Sequence, residues 1–189
     1  MSLTKPLLII VNGFPGAGKT TLAKRLSEDL KLPLLSRDGI YETLFDALDC
    51  DTHGSPPLLA PAAFTFLYSF AGTLLAAGQS LVAEGFFGRP ELRSAEFLKL
   101  KREHDFEPFQ IMCRADGQVL LERYYTRMGS AERHKGHNDG EWIEQQGNKE
   151  RLLNETLAPL SIGGTVVELD TAAGYDYKGL REQVRSGLK

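Results

Sequence analysis

The chain has 189 residues, 42% apolar and 25% charged, enough for one globular domain with a sizeable core and too apolar for a disordered segment. Its 22 basic and 25 acidic residues leave a net charge of -3, which gives extended nucleic-acid binding little support and obliges an anionic ligand to find local charge. With two cysteines, Cys50 and Cys113, and no charged-then-apolar leader, neither a disulfide scaffold nor secretion is expected, and a reducing cytoplasm is the default.

The run from Pro6 to Val11 is almost continuously apolar, the pattern of a strand covered on both faces. Leu22, Ala23, Leu26 and Leu30 then recur at helical spacing from Gly18 to Leu30. Leu32 to Ser36 reads as a short second strand, with Asp38 as N-cap of a helix carrying Ile40, Tyr41, Leu44 and Phe45. Asp49 to Pro61 reads as a loop, with Asp46, Asp49 and Asp51 as solvated acids. Ala60 to Ala77 is broken by Thr65, Ser69, Gly72 and Thr73, so it falls short of a membrane span and reads as a buried helix ending near Gly78.

Ser80 to Glu84 supplies a third strand, Pro90 to His104 a helix, and Phe109 to Cys113 a fourth strand. Asp116 is placed to cap a helix running to about Met128. Residues 129–147, rich in charge, glycine and histidine, read as a solvated lid, with Trp142 as a packing residue on a helix after the flap. Val166 to Asp170 gives strand five and Tyr177 to Gly187 a closing helix. This alternation predicts an α/β fold: a three-layer, mainly parallel, five-stranded sheet with ligands at the carboxyl ends of its strands.

Asn12 to Thr20, reading NGFPGAGKT, follows the first strand and opens the first helix. Gly13, Gly18, Lys19 and Thr20 satisfy the G-x-x-x-x-G-K-[ST] phosphate-loop pattern, in which unhindered backbone N–H groups surround phosphate oxygens at a helix N-terminus. The nucleotide-binding set is therefore Gly13, Pro15, Gly16, Ala17, Gly18, Lys19, Thr20 and Thr21, with Thr21 the poorer candidate on spacing. Lys19 is expected at the β and γ phosphates of ATP, and Thr20 on Mg²⁺, which prefers hard oxygen ligands.

Guanine recognition would call for N-K-x-D, whereas Asn148-Lys149-Glu150-Arg151 has arginine where the carboxylate belongs. Motor ATPases usually end a strand in Asp-Glu, and here strand three ends Ala83-Glu84-Gly85. Four stretches are left to identify the class: GFPGAGKT; Ser36-Arg37-Asp38; Cys113-Arg114-Ala115-Asp116 followed by Glu122-Arg123 and Arg127; and Arg133-His134-Lys135-Gly136-His137. In these the chain resembles small phosphate-loop kinases of the nucleoside-monophosphate-kinase fold group, especially the chloramphenicol-phosphotransferase-like and zeta-toxin-like branch. The resemblance implies a sheet ordered 2-3-1-4-5, ATP with Mg²⁺, and a hydroxyl-bearing small molecule as acceptor.

Asp38, opposite the phosphate loop, is the candidate base for the acceptor hydroxyl, a role that the matching aspartate has in the resembling families. Arg37, Glu84 and Phe86 are candidate acceptor contacts, and Glu84 is also a candidate for holding Mg²⁺. Arg123 and Arg127, four apart on one helix, are candidates for the ATP phosphates or adenine, and Arg133 for delivery by closure of the lid. His134 and His137 lack a nearby cysteine and read as flap contacts rather than zinc ligands. A nucleotide-dependent switch that hydrolyses ATP without an acceptor, and a zeta-toxin-like kinase of a nucleotide sugar, are the alternatives; monomer and homodimer are both compatible.

Overall fold

The computed structural model describes residues 5–131, 133–145 and 147–188. Strands β1 (Leu7–Gly13), β2 (Leu34–Ser36), β3 (Leu81–Gly85), β4 (Glu107–Arg114) and β5 (Thr165–Asp170) form one parallel sheet, ordered β2-β3-β1-β4-β5. The order agrees with the family resemblance. β1 lies at the centre, with Ile9 opposite Val82 on one side and Phe109 on the other.

The continuous apolar run of β1 follows from this placement. Leu7, Ile9 and Val11 face one core, shared with Leu22, Leu26, Ile111 and Val184. Leu8 and Ile10 face the other, shared with Leu67, Ala71, Phe97 and Leu160. A strand with helices on both faces needs no polar alternation.

In chain order the helices begin with α1 (Lys19–Leu30), whose buried Leu22 and Leu26 pack its inner stripe against the sheet. Next comes α2 (Arg37–Ala47), capped by Ser36, whose hydroxyl accepts from Gly39 N at 3.2 Å. Asp38 is therefore not the cap; it sits in the first turn, its carboxylate released for other contacts. The segment expected as a loop contains α3 (Cys50–His53) and the start of α4 (Leu59–Ala76).

α4 packs Ala63, Leu67, Ala71 and Leu75 inward but leaves Phe66 and Phe70 exposed, so it is half buried rather than buried. By length and composition it is apolar enough to cross a membrane, with a mean hydropathy of 1.5. α5 (Pro90–Glu103) and α6 (Gly117–Met128) follow, the latter capped by Asp116 through Gln118 N at 2.9 Å as expected.

The lid contains α7 (Asp139–Glu144) and is followed by α8 (Asn148–Asn154); α9 (Tyr177–Gly187) closes the described chain. Trp142 belongs to α7, inside the lid rather than after it. The lid is docked, not merely solvated. His137 meets Glu42 at 2.7 Å, His134 meets Asp46 at 3.2 Å and Lys135 meets Asp51 at 2.6 Å. The acids expected to be solvated thus include two that hold the lid against α2 and α3.

Candidate active site

The phosphate loop bends between β1 and α1 over two points where only glycine fits. A Cβ at Gly13 would lie 2.5 Å from the Cys113 carbonyl oxygen, and one at Gly16 would lie 2.8 Å from that of Leu120 while φ is 85°. Gly18, at φ 74°, is the left-handed N-cap of α1. Glycine reaches such angles without the steric penalty a Cβ brings. Lys19 folds back to donate to the Phe14 carbonyl at 3.0 Å. Burial pulls its pKa down, against the opposing pull of Glu84 and Asp38.

At the mouth of the loop, Thr20 Oγ1 and Ser36 Oγ both donate to Glu84, at 3.2 and 2.8 Å. Glu84 is 2% exposed. Burial pushes its carboxyl up from the ordinary range, with Lys19 opposing and Asp38 reinforcing the rise. A hydroxyl and a carboxylate together form a hard-oxygen donor set of the kind Mg²⁺ selects. Ser36 belongs to a stretch that carries the family likeness, but the sequence gives it no role of its own. A serine two residues before an aspartate gives no warning that it joins the first turn of α2 to the acid at the end of β3.

Asp38 is 41% exposed and accepts from Arg37 at 3.1 Å. Its enclosure in the cleft favours the neutral acid, but Arg37, His137 and Lys19 outweigh that and hold its pKa below the ordinary value. Asp38 is therefore ionised at neutral pH. Two cavities adjoin it. One, of about 520 Å³, is bordered by Gly16, Gly18, Thr20, Thr21 and Arg123; the other, of about 420 Å³, by Arg37, Tyr41, Phe64, Phe86 and Trp142. Lys19, Asp38, Arg127 and Arg133 border both.

Not every residue of the phosphate loop reaches this cleft in the expected way. Gly13 and Ala17 are buried beneath the loop, and Pro15 borders the smaller cavity rather than the larger. Thr21 borders the larger cavity beside Thr20. Arg123 braces the loop: it donates to Gly16 O at 3.5 Å and to Thr171 O and Oγ1 at 3.2 Å each. Arg127 has a buried Nε without a hydrogen bond, and burial beside Arg133 lowers its pKa. A guanidinium in that condition is stabilised by an incoming anion.

Arg133 is already clamped. It makes a bidentate pair with Asp139 at 2.6 and 2.7 Å, with side-chain exposures of 13% and 9%. Tyr124 secures the same residue by donating to Asp139 O at 2.7 Å. Asp139 and Trp142 are site-forming residues that the sequence reading missed. The only signal for Asp139 was an acid six residues beyond an arginine, which no regular element would pair. His134 and His137 serve lid docking, the latter with its ring 5.4 Å from that of Tyr41.

Residues 8–152 match the family model described as an AAA domain. A crystal structure from Chloroflexus aurantiacus, described as a "putative kinase", is 35% identical with a TM-score of 0.86 and covers 98% of this chain and 100% of that one. The shikimate kinase of Acinetobacter baumannii, solved with shikimate, has a TM-score of 0.56 over 97% of this chain and 93% of that one; at 18% identity the likeness is one of fold. An uncharacterised protein of Mycobacterium tuberculosis is 25% identical over 170 residues, 78% of this chain, which spans about a third of the length of that relative (33%).

Proposed function

The chain belongs to this AAA-domain family and has the fold of phosphate-loop kinases, and on that premise we propose that it is an ATP-dependent phosphotransferase acting on the hydroxyl of a small molecule. One observation carries the reading: an ionised carboxylate, Asp38, stands where a phosphate-loop cavity meets a second cavity of ligand size. A switch protein that only hydrolyses ATP has no need of the second cavity.

In this account ATP enters the larger cavity with its phosphates on the backbone of residues 13–20, and Lys19 exchanges the Phe14 carbonyl for phosphate oxygens. Arg127 and Arg133 offer positive charge to the group in transit. Thr20 and Glu84 are the residues that would hold Mg²⁺, which supplies neutralisation of phosphate charge when bound. The acceptor sits in the smaller cavity with its hydroxyl on Asp38. Its oxygen bonds to the γ-phosphorus as the bond to the ADP oxygen breaks, and its proton passes to Asp38.

A carboxylate with a depressed pKa suffices as the base. In a loose phosphoryl-transfer transition state the hydroxyl becomes acidic only as its oxygen bonds to phosphorus, so orientation matters more than basicity. Docking of the lid against α2 limits the water that reaches the transfer. Two free, buried cysteines suit a reducing compartment such as the cytoplasm.

Asp38→Asn tests this directly. The amide preserves shape and removes the proton acceptor, so kcat falls about 10²–10⁴-fold while ATP affinity is retained. Undiminished transfer by the variant contradicts the assignment.

A further inference from the structure

Docking the lid uses only one of the two ring nitrogens of His137. The residue borders the smaller cavity together with Asp38, Arg37 and Tyr41, and its side chain is 9% exposed. Its Nε2 donates to Glu42 Oε1 at 2.7 Å. A carboxylate only accepts, so in the neutral ring Nε2 carries the proton and Nδ1 keeps a lone pair. Nδ1 makes no hydrogen bond among the described residues, yet it is not one of the polar atoms sealed away without a partner, so it is open to water. The ring is also braced: its centre lies 5.4 Å from that of Tyr41, and the His137 amide donates to His134 O at 3.1 Å.

An oriented imidazole matters here because Asp38 holds a proton weakly. On the phosphotransferase reading, from which this inference proceeds, the hydroxyl proton arrives on a carboxylate that accepts from Arg37 at 3.1 Å and has a pKa below the ordinary value. Imidazole is ordinarily the stronger base by far, at about 6.5 against about 3.9. His137 is shifted down as well: burial disfavours its charged form and Arg133 of the lid adds to that, while Asp38 and Glu42, both of α2, pull the other way. His134 stands 6.2 Å away between ring centres, and Arg37, Lys19, Arg127 and Glu141 border the same cavity. The ring is therefore neutral at pH 7 and able to accept.

We propose that His137 is a second proton acceptor of the site, oriented by Glu42 and fed by Asp38. The acceptor's O–H bond breaks as its oxygen bonds to phosphorus, and the proton lands on Asp38. It then crosses to His137 Nδ1 through a water, since the two side chains make no hydrogen bond to each other among the described residues. Asp38 returns to its ionised form beside Arg37, and Glu42 balances the imidazolium, as an acid behind a histidine does in the hydrolase triads. The proton leaves to solvent when product is released.

A pH profile tests this. Transfer of labelled γ-phosphate to glycerol, and to water where no alcohol is present, is followed from about pH 4.5 to about pH 8. The imidazole must be neutral to accept, so kcat of the parent is expected to fall on acidification within that range, on the acid side of about pH 6.5. With Asp38 alone it stays level. Glu42→Gln removes a charge that raises the proton affinity of His137, so the fall moves to lower pH, by about one pH unit or more. His137→Gln abolishes it. If that variant undocks the lid, the parent still decides: nitrogen NMR of its ring at neutral pH is expected to show Nε2 protonated and Nδ1 bare.

A parent profile level down to about pH 4.5, a fall that neither variant moves, or the reverse tautomer overturns the proposal. The two readings fail separately. Transfer to glycerol with a level profile retains the phosphotransferase and removes the second acceptor. Release to water alone, with an acid fall that Glu42→Gln moves, does the reverse. A γ-phosphate that moves to neither contradicts both.

Discussion

The phosphate loop and the acceptor wall meet at Asp38 but are built in opposite ways. The loop is one contiguous stretch, residues 12–20, whose working parts are mostly backbone: its glycines let the chain pass within contact of the Cys113 and Leu120 carbonyls. The wall is assembled from side chains of five segments that run from Arg37 to Gln145. A backbone-built site fixes its own sequence, because only glycine tolerates the path. A wall of side chains fixes only ring and charge, and each residue type that supplies them has other uses elsewhere in the molecule.

The contrast predicts that lesions in the loop remove chemistry while lesions in the wall alter fit. Lys19→Met strikes the loop hardest: transfer falls about 10³-fold. The fold survives, because the variant replaces a buried ammonium whose charge burial already disfavours. Wild-type melting behaviour together with lost turnover is the expected pair of measurements. Substantial residual transfer would place the donor site elsewhere.

Asp139→Asn strikes the wall and leaves Arg133 without its bidentate partner in a largely enclosed place. The expected cost is about 3 kcal/mol in denaturation experiments. Turnover drops through displacement of Arg133 and Trp142, while ATP binding persists because Asp139 borders the smaller cavity and not the one that holds the phosphates. Equal loss of ATP binding would erase the distinction between the two regions.

Glu84→Gln is the smallest change and divides function from stability. Glu84 has a folded-state pKa above its unfolded value, so its stabilising contribution is complete below about pH 4 and is lost as pH rises through the raised value. The glutamine variant escapes that loss. It is therefore more stable than the parent at pH 8, with the gain vanishing towards pH 4, while Mg²⁺-dependent turnover falls. Asp38 runs the other way: its depressed pKa contributes stability above about pH 4 that is lost as pH falls through the lower folded value. The Tm difference from the parent should slope with pH in opposite senses for Glu84→Gln and Asp38→Asn.

The same contrast explains what the sequence could reveal. The sheet was legible because β1, β3 and β4 are short apolar runs between helical periodicities, and the loop because its motif is contiguous. Its order came from family likeness, since no local pattern states which strand neighbours which. The capping role of Ser36 was not legible because Asp38 offers a more obvious cap, and the hydroxyl that caps α2 also reaches an acid 48 residues away. The lid looked solvated because it is polar. Its polar residues instead pair with Glu42, Asp46 and Asp51, whose partnership crosses more than 80 residues of chain and leaves no trace in spacing. Arg133 was expected to arrive by lid closure, and it is already fixed at the cleft by Asp139.

The most direct measurement follows the γ-phosphate itself. ATP labelled at that position is incubated with the protein, Mg²⁺ and a panel of neutral and acidic alcohols, and the label is traced by mass spectrometry in the parent and in Asp38→Asn. The expected result is label on an organic hydroxyl in the parent and its loss in the variant. Label recovered solely as inorganic phosphate, at a rate no alcohol alters and Asp38→Asn leaves unchanged, would contradict it.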